Sequence, residues 1–467
     1  MGQIFSSLRA AWASLWRPLV VLLLYAVYLP FSGYTPGQFR FDAAEYWELS
    51  LKFTQQGHFS LLAFDEPLRG YLGPLLILPA RVLCHVTGWP MLTGARVLGA
   101  GWAALLFGLA IPQLWAQVAR RPLGAGRWLG LVALAFIFWR DYFNFTLSDM
   151  PALTLLLLGL AALGRRGWAW AGVAGLLLAA AINIRPIYVA SVPGCLWLLY
   201  AIPRPSQQLW RRTASLAAGA ALVLLPQWLI NQRHFQQPTP LVLAGLPGSR
   251  PLYLKQLGWG TSFQRYESSL ISEIPRSLVF ADPAGQRAMA NVPGRSFTSY
   301  GQYLKFVVRQ PLAVVWRYLR HLFNGLDIRY PTPYPTQLHP LGQTALRLLN
   351  YVLLGLGACL AVVGLRRSGR QQFDADSVPA AVLVALLLPC LLVLPTLMEC
   401  RFLLPLHLLA LTGVVASWQP VRWWRALGST LRRVAVLGLA LGWLWGCWQL
   451  SEATAHQLRP PSEAPQE

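Results

Sequence analysis

The chain has 467 residues, of which 55% are hydrophobic and only 12% are charged. A soluble domain carries about 25% charged residues, so this composition excludes an ordinary soluble protein and predicts an all-α polytopic membrane protein. The net charge is +22, but the arginines flank apolar runs, which is typical of cytoplasmic loops and not of a nucleic-acid interface. We therefore expect the lipid bilayer, and no nucleic acid, as a partner.

The first apolar run covers 19–30 and follows Arg9 and Arg17. No small-residue cleavage site comes after it, so we predict a retained first helix whose N-terminus lies inside. The segment 34–93 then begins outside. Its apolar stretch 71–86 is interrupted by two prolines and an arginine. If this stretch crossed the membrane, the arginines further along would fall outside. If it lies on the membrane interface they fall inside, as the positive-inside rule requires, so we predict interfacial helices in this first outer loop.

The remaining spans follow from apolar runs of roughly 17 to 25 residues. They are predicted at 94–117, 128–143, 149–164, 168–183, 186–202, 213–230, 344–364, 378–397, 402–418 and 434–450. With the first helix they total about eleven. The implied organisation is an N-terminal membrane module at 1–230, a large outer loop at 231–340, C-terminal helices at 341–450 and a disordered proline-rich tail at 451–467.

This topology separates the acidic residues from the basic ones. Of the 17 acids, only Asp374 and Asp376 fall inside, and the others lie on the outer side or at its boundary. An outer face that collects carboxylates is a plausible chemical site, and its position favours an extracytoplasmic active site over a cytoplasmic one.

The strongest candidate is the cluster Asp42, Glu45 and Tyr46. The spacing i, i+3, i+4 places these residues on one side of a short helix, with Trp47 expected to pack against the bilayer surface. Two carboxylates one turn apart near a low-dielectric boundary can have their pKa values pushed apart, which suits a general base. The alternative is a solvated helix face without a catalytic role.

A second group consists of Asp141 and Asp149. Asp149 lies at the outer mouth of a predicted span, where an ionisable residue is costly and therefore often functional. It could equally cap the helix that begins there, because a proline follows two residues later.

A third group is Glu399 with Arg401, between two predicted spans on the same side, and Arg185, Arg69 and Lys52 also reach that face. Arginine binds phosphate through a fork and lysine as a point charge, so these cations could hold a phosphate group. Each of them could instead be an interfacial anchor.

Several common sites have no sequence support. Motifs for nucleotide hydrolysis, dinucleotide binding, serine hydrolysis and zinc proteolysis are absent from the sequence, and its histidines and six cysteines show no ligand spacing. We therefore expect neither a metal nor another cofactor.

The order of these features resembles the GT-C fold glycosyltransferases, and within them the branch of protein O-mannosyltransferases and the lipid A aminoarabinose transferase. The segment 41–46 resembles the first-loop acidic motif whose Asp serves as base. In the segment 69–75, Arg69 resembles the basic residue that the branch carries before a Pro-Pro-Leu-like turn. In the segment 146–149, Asp149 resembles its second outer acid, which precedes a span. The family's adjacent Asp-Glu pair is here split by two alanines, and the second proline is not matched. The subfamily and the donor therefore stay open.

The resemblance implies an inverting transferase that moves a sugar from a polyprenyl phosphate to a hydroxyl of a glycan, lipid or protein on the outer face. Asp42 would be the base, with Glu45 or Asp149 orienting the acceptor, and Tyr46, Asp141 and Glu399 in support. Arg69, Arg185, Arg401 and Lys52 would hold the departing phosphate. The rival classes are a transporter or flippase with the same acids along a polar pathway, and a structural membrane subunit.

Overall fold

The computed structural model describes residues 2–35, 38–55, 57–202, 206–245, 248–271, 276–368, 377–426 and 428–459. Five helices within them are long and apolar enough to cross a membrane, namely Met91–Val118, Gln208–Phe235, Gln343–Val363, Cys400–Ser417 and Thr430–Ala455. The chain is therefore a predominantly helical, membrane-embedded protein. The total of about eleven spans stays a prediction, and six further apolar helices are shorter.

The helices and strands are named here in chain order. The helices are α1 (Gly2–Tyr28), α2 (Phe41–Leu49), α3 (Leu72–Thr87), α4 (Met91–Ala103), α5 (Ile111–Val118), α6 (Ala125–Trp139), α7 (Asp149–Leu163), α8 (Trp168–Ile184), α9 (Val192–Ala201), α10 (Ser206–Phe235), α11 (Leu252–Ser262), α12 (Pro283–Ala290), α13 (Tyr300–Arg309), α14 (Pro311–Leu326), α15 (Gln343–Ser368), α16 (Ser377–Val393), α17 (Leu404–Ser417), α18 (Pro420–Ala426) and α19 (Thr430–Ala455). The strands are β1 (Thr54–Gln55), β2 (His58–Phe59), β3 (Phe263–Ser269), β4 (Arg276–Ala281) and β5 (Leu458–Arg459).

One compact unit comprises Met1–Leu123, Arg140–Pro251 and Asp376–Pro389. Its helices α7, α8 and α10 pack side by side. A Cβ on Gly175 would lie 1.9 Å from the Leu216 carbonyl oxygen, and one on Gly219 would lie 1.9 Å from the Gly172 oxygen. Glycine therefore lets the backbones of α8 and α10 approach closely, as small residues do between membrane helices.

Helix α3, expected to lie on the membrane interface, packs against α2, α4 and α8 in this unit. Its inner face buries Pro74, Ile77 and Cys84, whereas Val82 and Val86 are exposed. This amphipathic pattern suits an interfacial helix, and its position relative to a bilayer stays a prediction.

The other unit comprises Gly124–Trp139, Leu252–Ala375 and Cys390–Glu467. Helix α15 packs against α17 and α19, and α17 packs against α6. Strands β3, β4 and β5 form an antiparallel sheet in that order, with Tyr266 opposite Val279 and Phe280 opposite Leu458. An apolar cluster joins α11 to α14 beside the sheet.

Two helices extend beyond the boundaries predicted from the sequence. Helix α10 continues to Phe235, five residues into the segment 231–340 that is predicted as a large outer loop, and this segment contains strands as well as the expected helical stretch near 300–324. The expected disordered tail from residue 451 is still helix until Ala455 and then forms β5. Residues 460–467 of that tail lie outside the described residues, as do Asp374 and Asp376.

Candidate active site

Helix α2 carries the first predicted site residues on one side, as their spacing requires. Asp42 and Glu45 have 30% and 41% of their side chains exposed, whereas Tyr46 is buried. Phe41, immediately before them, has a φ of 56°, which non-glycine residues rarely adopt. Trp47 does not face outward as expected: it is 1% exposed, because its ring packs inside the protein. Burial of Tyr46 and Trp47 thus fixes the helix and leaves both carboxylates accessible.

Arg69 joins these residues into one cluster. Its Nε and Nη2 donate to the two Glu45 carboxylate oxygens at 3.2 and 3.3 Å, in a bidentate fork. Its Nη2 lies 3.7 Å from Asp42 Oδ1, which is ion-pair but not hydrogen-bond distance, and its guanidinium lies over the Tyr46 ring at 5.2 Å. Tyr46 above all, and then Asp42 and Glu45, raise the pKa of Arg69 above its ordinary value and outweigh the loss of surrounding water. The guanidinium is therefore a fixed positive charge.

Buried amides hold the backbone that carries Arg69. Asn183 Oδ1 accepts from the Leu72 amide at 2.9 Å, and Asn183 Nδ2 donates to Gln227 Oε1 at 2.8 Å. A Cβ on Gly70 would lie 1.9 Å from the Asn183 carbonyl oxygen. Residue 70 must therefore be glycine for the loop to lie this close to α8. The contact sets the position of Arg69 relative to α2.

The same turn of α8 leads to the second ion pair. Arg185 follows α8 directly and forms an ion pair through Nη1 with Asp149 Oδ1. Asp149 is 3% exposed and Arg185 17%. Ser148, and not Asp149, occupies the cap position of α7. A buried carboxylate needs such a partner, because leaving it unpaired costs several kcal/mol, roughly 3–5.

A small cavity lies next to residues that neighbour the two ion pairs in sequence. Thr146 Oγ1 donates to the Ala43 carbonyl at 2.6 Å and so ties α2 to the segment before Asp149. Tyr46, Ser148 and Ile184, which are sequence neighbours of Glu45, Asp149 and Arg185, line a cavity of about 30 Å³. A space of this size holds water but no sugar.

Two predicted residues of this unit have other partners. Lys52 Nζ lies 2.7 Å from Asp65 Oδ1 and 3.5 Å from Glu66 Oε2. Asp141 is 6% exposed and accepts hydrogen bonds from the Tyr28 hydroxyl and, at 2.8 Å, from Asn144 Nδ2. Carboxylates thus compete with any phosphate for Lys52, and Asp141 contributes to local packing.

Glu399 and Arg401 belong to the other unit. They form an ion pair on either side of Cys400, in which Arg401 Nη2 donates to Glu399 Oε1 at 3.2 Å. Their side chains are 17% and 11% exposed. This is the local pairing that the sequence allowed as an alternative to a phosphate-binding role.

A buried network of hydrogen bonds and ion pairs in that unit was not predicted from the sequence. Arg265 Nη1 donates to Asp327 Oδ2 at 3.0 Å, and its Nε donates to Glu267 at 2.5 Å. Tyr351 donates to Asp327 Oδ1 at 2.9 Å, and Ser451 to Oδ2 at 2.6 Å. Burial lowers the pKa of Arg265, but Glu267 and Asp327 raise it further, so that the net change is upward. These residues come from distant parts of the sequence and show no local motif.

The roles of Asn183 and Gln227 were also not predicted from the sequence, although their positions in the sequence indicate them. Both are amides inside strongly apolar helices, where a polar side chain needs a hydrogen-bonding partner.

Within the part of the chain that the structure describes, His, Cys, Asp and Glu form no group of three or more suited to a metal ion. The expectation that no metal is needed stays a prediction.

No protein-family model and no curated protein matches this sequence.

Proposed function

We propose that the protein is an inverting membrane glycosyltransferase that transfers a sugar from a polyprenyl-phosphate donor to a hydroxyl group. The observation that carries this proposal is the Arg69 cluster, in which one guanidinium holds Glu45 by a fork while Asp42 lies nearby with 30% of its side chain exposed. A base and a fixed cation then stand side by side at an accessible surface.

In the proposed reaction, Asp42 accepts the proton of the acceptor hydroxyl. The acceptor oxygen forms a bond to the sugar's anomeric carbon as the bond from that carbon to the phosphate oxygen breaks. The polyprenyl phosphate leaves with the bonding electron pair, and its negative charge needs a cation. Glu45, engaged by the Arg69 fork, orients this site instead of accepting the proton.

Arg69 and Arg185 are phosphate-binding candidates in the unit that contains Asp42. A guanidinium has five N–H donors, so the fork to Glu45 uses only two of those on Arg69. Arg185 pairs with the buried Asp149 and keeps 17% of its side chain exposed. Lys52, in the same unit, pairs with Asp65 and Glu66, and Arg401, in the other unit, pairs with Glu399. Both stay phosphate-binding candidates of the proposal, and Glu399 stays a supporting residue.

The donor explains the apolar composition. A polyprenyl tail stays in the bilayer, so an enzyme that uses it benefits from being embedded as well. The proposed side is extracytoplasmic, because the positive-inside rule applied to the arginine-rich loops predicts the carboxylates on that side. The acceptor is a glycan, lipid or protein hydroxyl.

A strain that lacks the gene tests this proposal against a flippase. Mass spectrometry of its lipids should show an accumulated polyprenyl-phosphate sugar, together with a missing residue in a surface glycan. In intact cells, periodate that does not cross the membrane should oxidise the accumulated sugar, because the donor of an outer-face enzyme waits in the outer leaflet. Accumulation that is protected from periodate would favour a flippase, and absence of any accumulated lipid-linked sugar would contradict the transferase.

A further inference from the structure

Helix α14 exposes a stripe of large apolar side chains. Their spacing of i, i+3, i+4 and i+7 forms a single face of the helix. The stripe consists of Leu312, Val315, Trp316 and Leu319, which are 84%, 55%, 58% and 51% exposed. The preceding helix α13 adds Leu304 and Val308, at 61% and 76%. So much contiguous apolar surface marks an interaction site.

The opposite face of α14 is firmly packed. Val314 is buried in the apolar cluster with α11 to α13. Arg317 Nε donates to Asp282 Oδ2 at 3.0 Å, and His321 Nδ1 lies 2.6 Å from the Leu394 carbonyl oxygen. The orientation of the helix is therefore fixed, and the stripe is a permanent outward face.

The end of α14 lies level with the ends of two candidate membrane spans. Thr454, in the last turn of α19, donates to Asn324 Oδ1 at 3.0 Å. Asn350, near the start of α15, donates to the Leu326 carbonyl at 2.7 Å. Spanning helices end where the hydrocarbon meets the headgroups, so these bonds hold α14 at that depth.

The charge of this segment suits the same location. Residues 300–326 contain Lys305, Arg309, Arg317 and Arg320 and no acidic residue. Arg317 and Arg320 both donate to Asp282, whereas Lys305 and Arg309 belong to exposed positions of α13. A basic amphipathic helix with exposed Leu, Val and Trp is typical of a membrane-surface anchor.

We propose that α13 and α14 form an interfacial anchor on the leaflet at the ends of α15 and α19. The stripe lies at the boundary between headgroups and acyl chains, and Lys305 and Arg309 contact anionic headgroups. The anchor does not depend on the proposed transferase activity.

Photo-crosslinking of the full-length protein tests the anchor. A benzophenone amino acid at Leu312 or Trp316, in nanodiscs of mixed phosphatidylglycerol and phosphatidylcholine, should give lipid adducts by mass spectrometry. Asn291, which is exposed but outside the stripe, is the control position, and the benzophenone amino acid placed there should give few lipid adducts. Crosslinks from Leu312 to a second copy of the chain, or equal lipid adducts at Asn291, would overturn the proposal.

Charge variants test the headgroup contact separately. Attraction to an anionic surface contributes about 1 kcal/mol per basic residue, so Lys305→Gln and Arg309→Gln should each lower the preference for phosphatidylglycerol adducts roughly fivefold. Arg287→Gln, at an exposed position of α12, should leave that preference unchanged. An unchanged preference in the Lys305→Gln, Arg309→Gln double variant would remove the headgroup contact from the proposal.

Discussion

Two arginine clusters in this protein use the same chemistry in opposite surroundings. Arg69 joins Asp42 and Glu45 with 25% of its side chain exposed, and both carboxylates are more exposed than that. Arg265 joins Glu267 and Asp327 with 1% exposed, and Asp327 is fully buried. The first cluster can meet a ligand, whereas the second is enclosed by its own hydrogen bonds.

The difference in exposure favours the Arg69 cluster as the site of the proposed reaction. Both oxygens of Asp327 accept hydrogen bonds, from Tyr351 on one side and from Arg265 and Ser451 on the other. Such a network stabilises a fold but presents no group to a substrate. Asp42, by contrast, has 30% of its side chain exposed and can be reached by a ligand. We therefore assign the buried cluster to stability and the exposed one to the proposed reaction.

The largest expected effect is on stability. Arg265→Gln should cost roughly 3–5 kcal/mol in the free energy of unfolding, because it leaves the buried Asp327 carboxylate without its cation. Arg69→Gln should cost about 1 kcal/mol or less, since Asp42 and Glu45 remain hydrated. Thermal unfolding of both purified variants in detergent measures this difference. Equal losses would contradict the division of roles between the two clusters.

Substitutions at Arg69 probe the fork in the exposed cluster. Arg69→Lys keeps the charge but cannot form two parallel hydrogen bonds to Glu45, so its activity should fall nearly as far as that of Arg69→Ala. A charged hydrogen bond contributes about 1.5–3 kcal/mol, which corresponds to roughly 10- to 150-fold. The glycan made by the complemented deletion strain is the readout. Full activity of Arg69→Lys would show that a point charge suffices, and Arg185 and Arg401 are open to the same comparison.

A pair of glycines tests whether the position of the Arg69 loop matters. Gly70→Ala should lower activity because the new Cβ meets the Asn183 carbonyl at 1.9 Å and the loop must move, at a cost of about 1–3 kcal/mol. Gly73→Ala is the control, since its nearest contact would be an ordinary 3.7 Å to the Tyr46 ring. Indistinguishable activities of the two variants would mean that the close approach at Gly70 does not position Arg69.

The smallest expected effect is a pH dependence of the protein's stability that arises from the buried His321. Burial lowers the pKa of His321 to about 4 despite its hydrogen bond to the Leu394 carbonyl. The unfolded chain takes up this proton near pH 6.5, so the contribution to stability is present above that pH and is lost as the pH falls towards 4. His321→Gln does not titrate and should show a smaller drop in melting temperature between pH 7 and pH 4.5. An unchanged drop would exclude His321 as its source.

The sequence predicted helices better than contacts. The run 149–164 corresponds to α7, which begins at Asp149, because an unbroken apolar stretch leaves helix as the available structure in a bilayer. The run 186–202 corresponds to a 3-10 helix followed by α9. Proline at 186 fixes the backbone there, and hydropathy does not distinguish the two helix types.

For the candidate site, the sequence predicted which residues share a helix face but not which distant residues pair with one another. The positions of Asp42, Glu45 and Tyr46 on one side of α2 follow from helical periodicity. Arg69 and Glu45 are 24 positions apart, with strands β1 and β2 and short helical turns between them. The pairing of Arg185 with Asp149 depends on how α7 and α8 pack. No periodicity encodes such contacts. The network around Asp327 is harder still, since its members come from β3, α15 and α19.

The most direct test of the proposed base is Asp42→Asn in the complemented deletion strain, with Glu45→Gln beside it. Asparagine keeps the size and most of the hydrogen bonding but cannot accept the proton, so transfer should fall roughly 100-fold or more. The polyprenyl-phosphate sugar should then accumulate as it does without the gene, and Glu45→Gln should have the smaller effect. Near-normal transfer by Asp42→Asn with an inactive Glu45→Gln would reverse the two roles, and near-normal transfer by both variants would contradict the account.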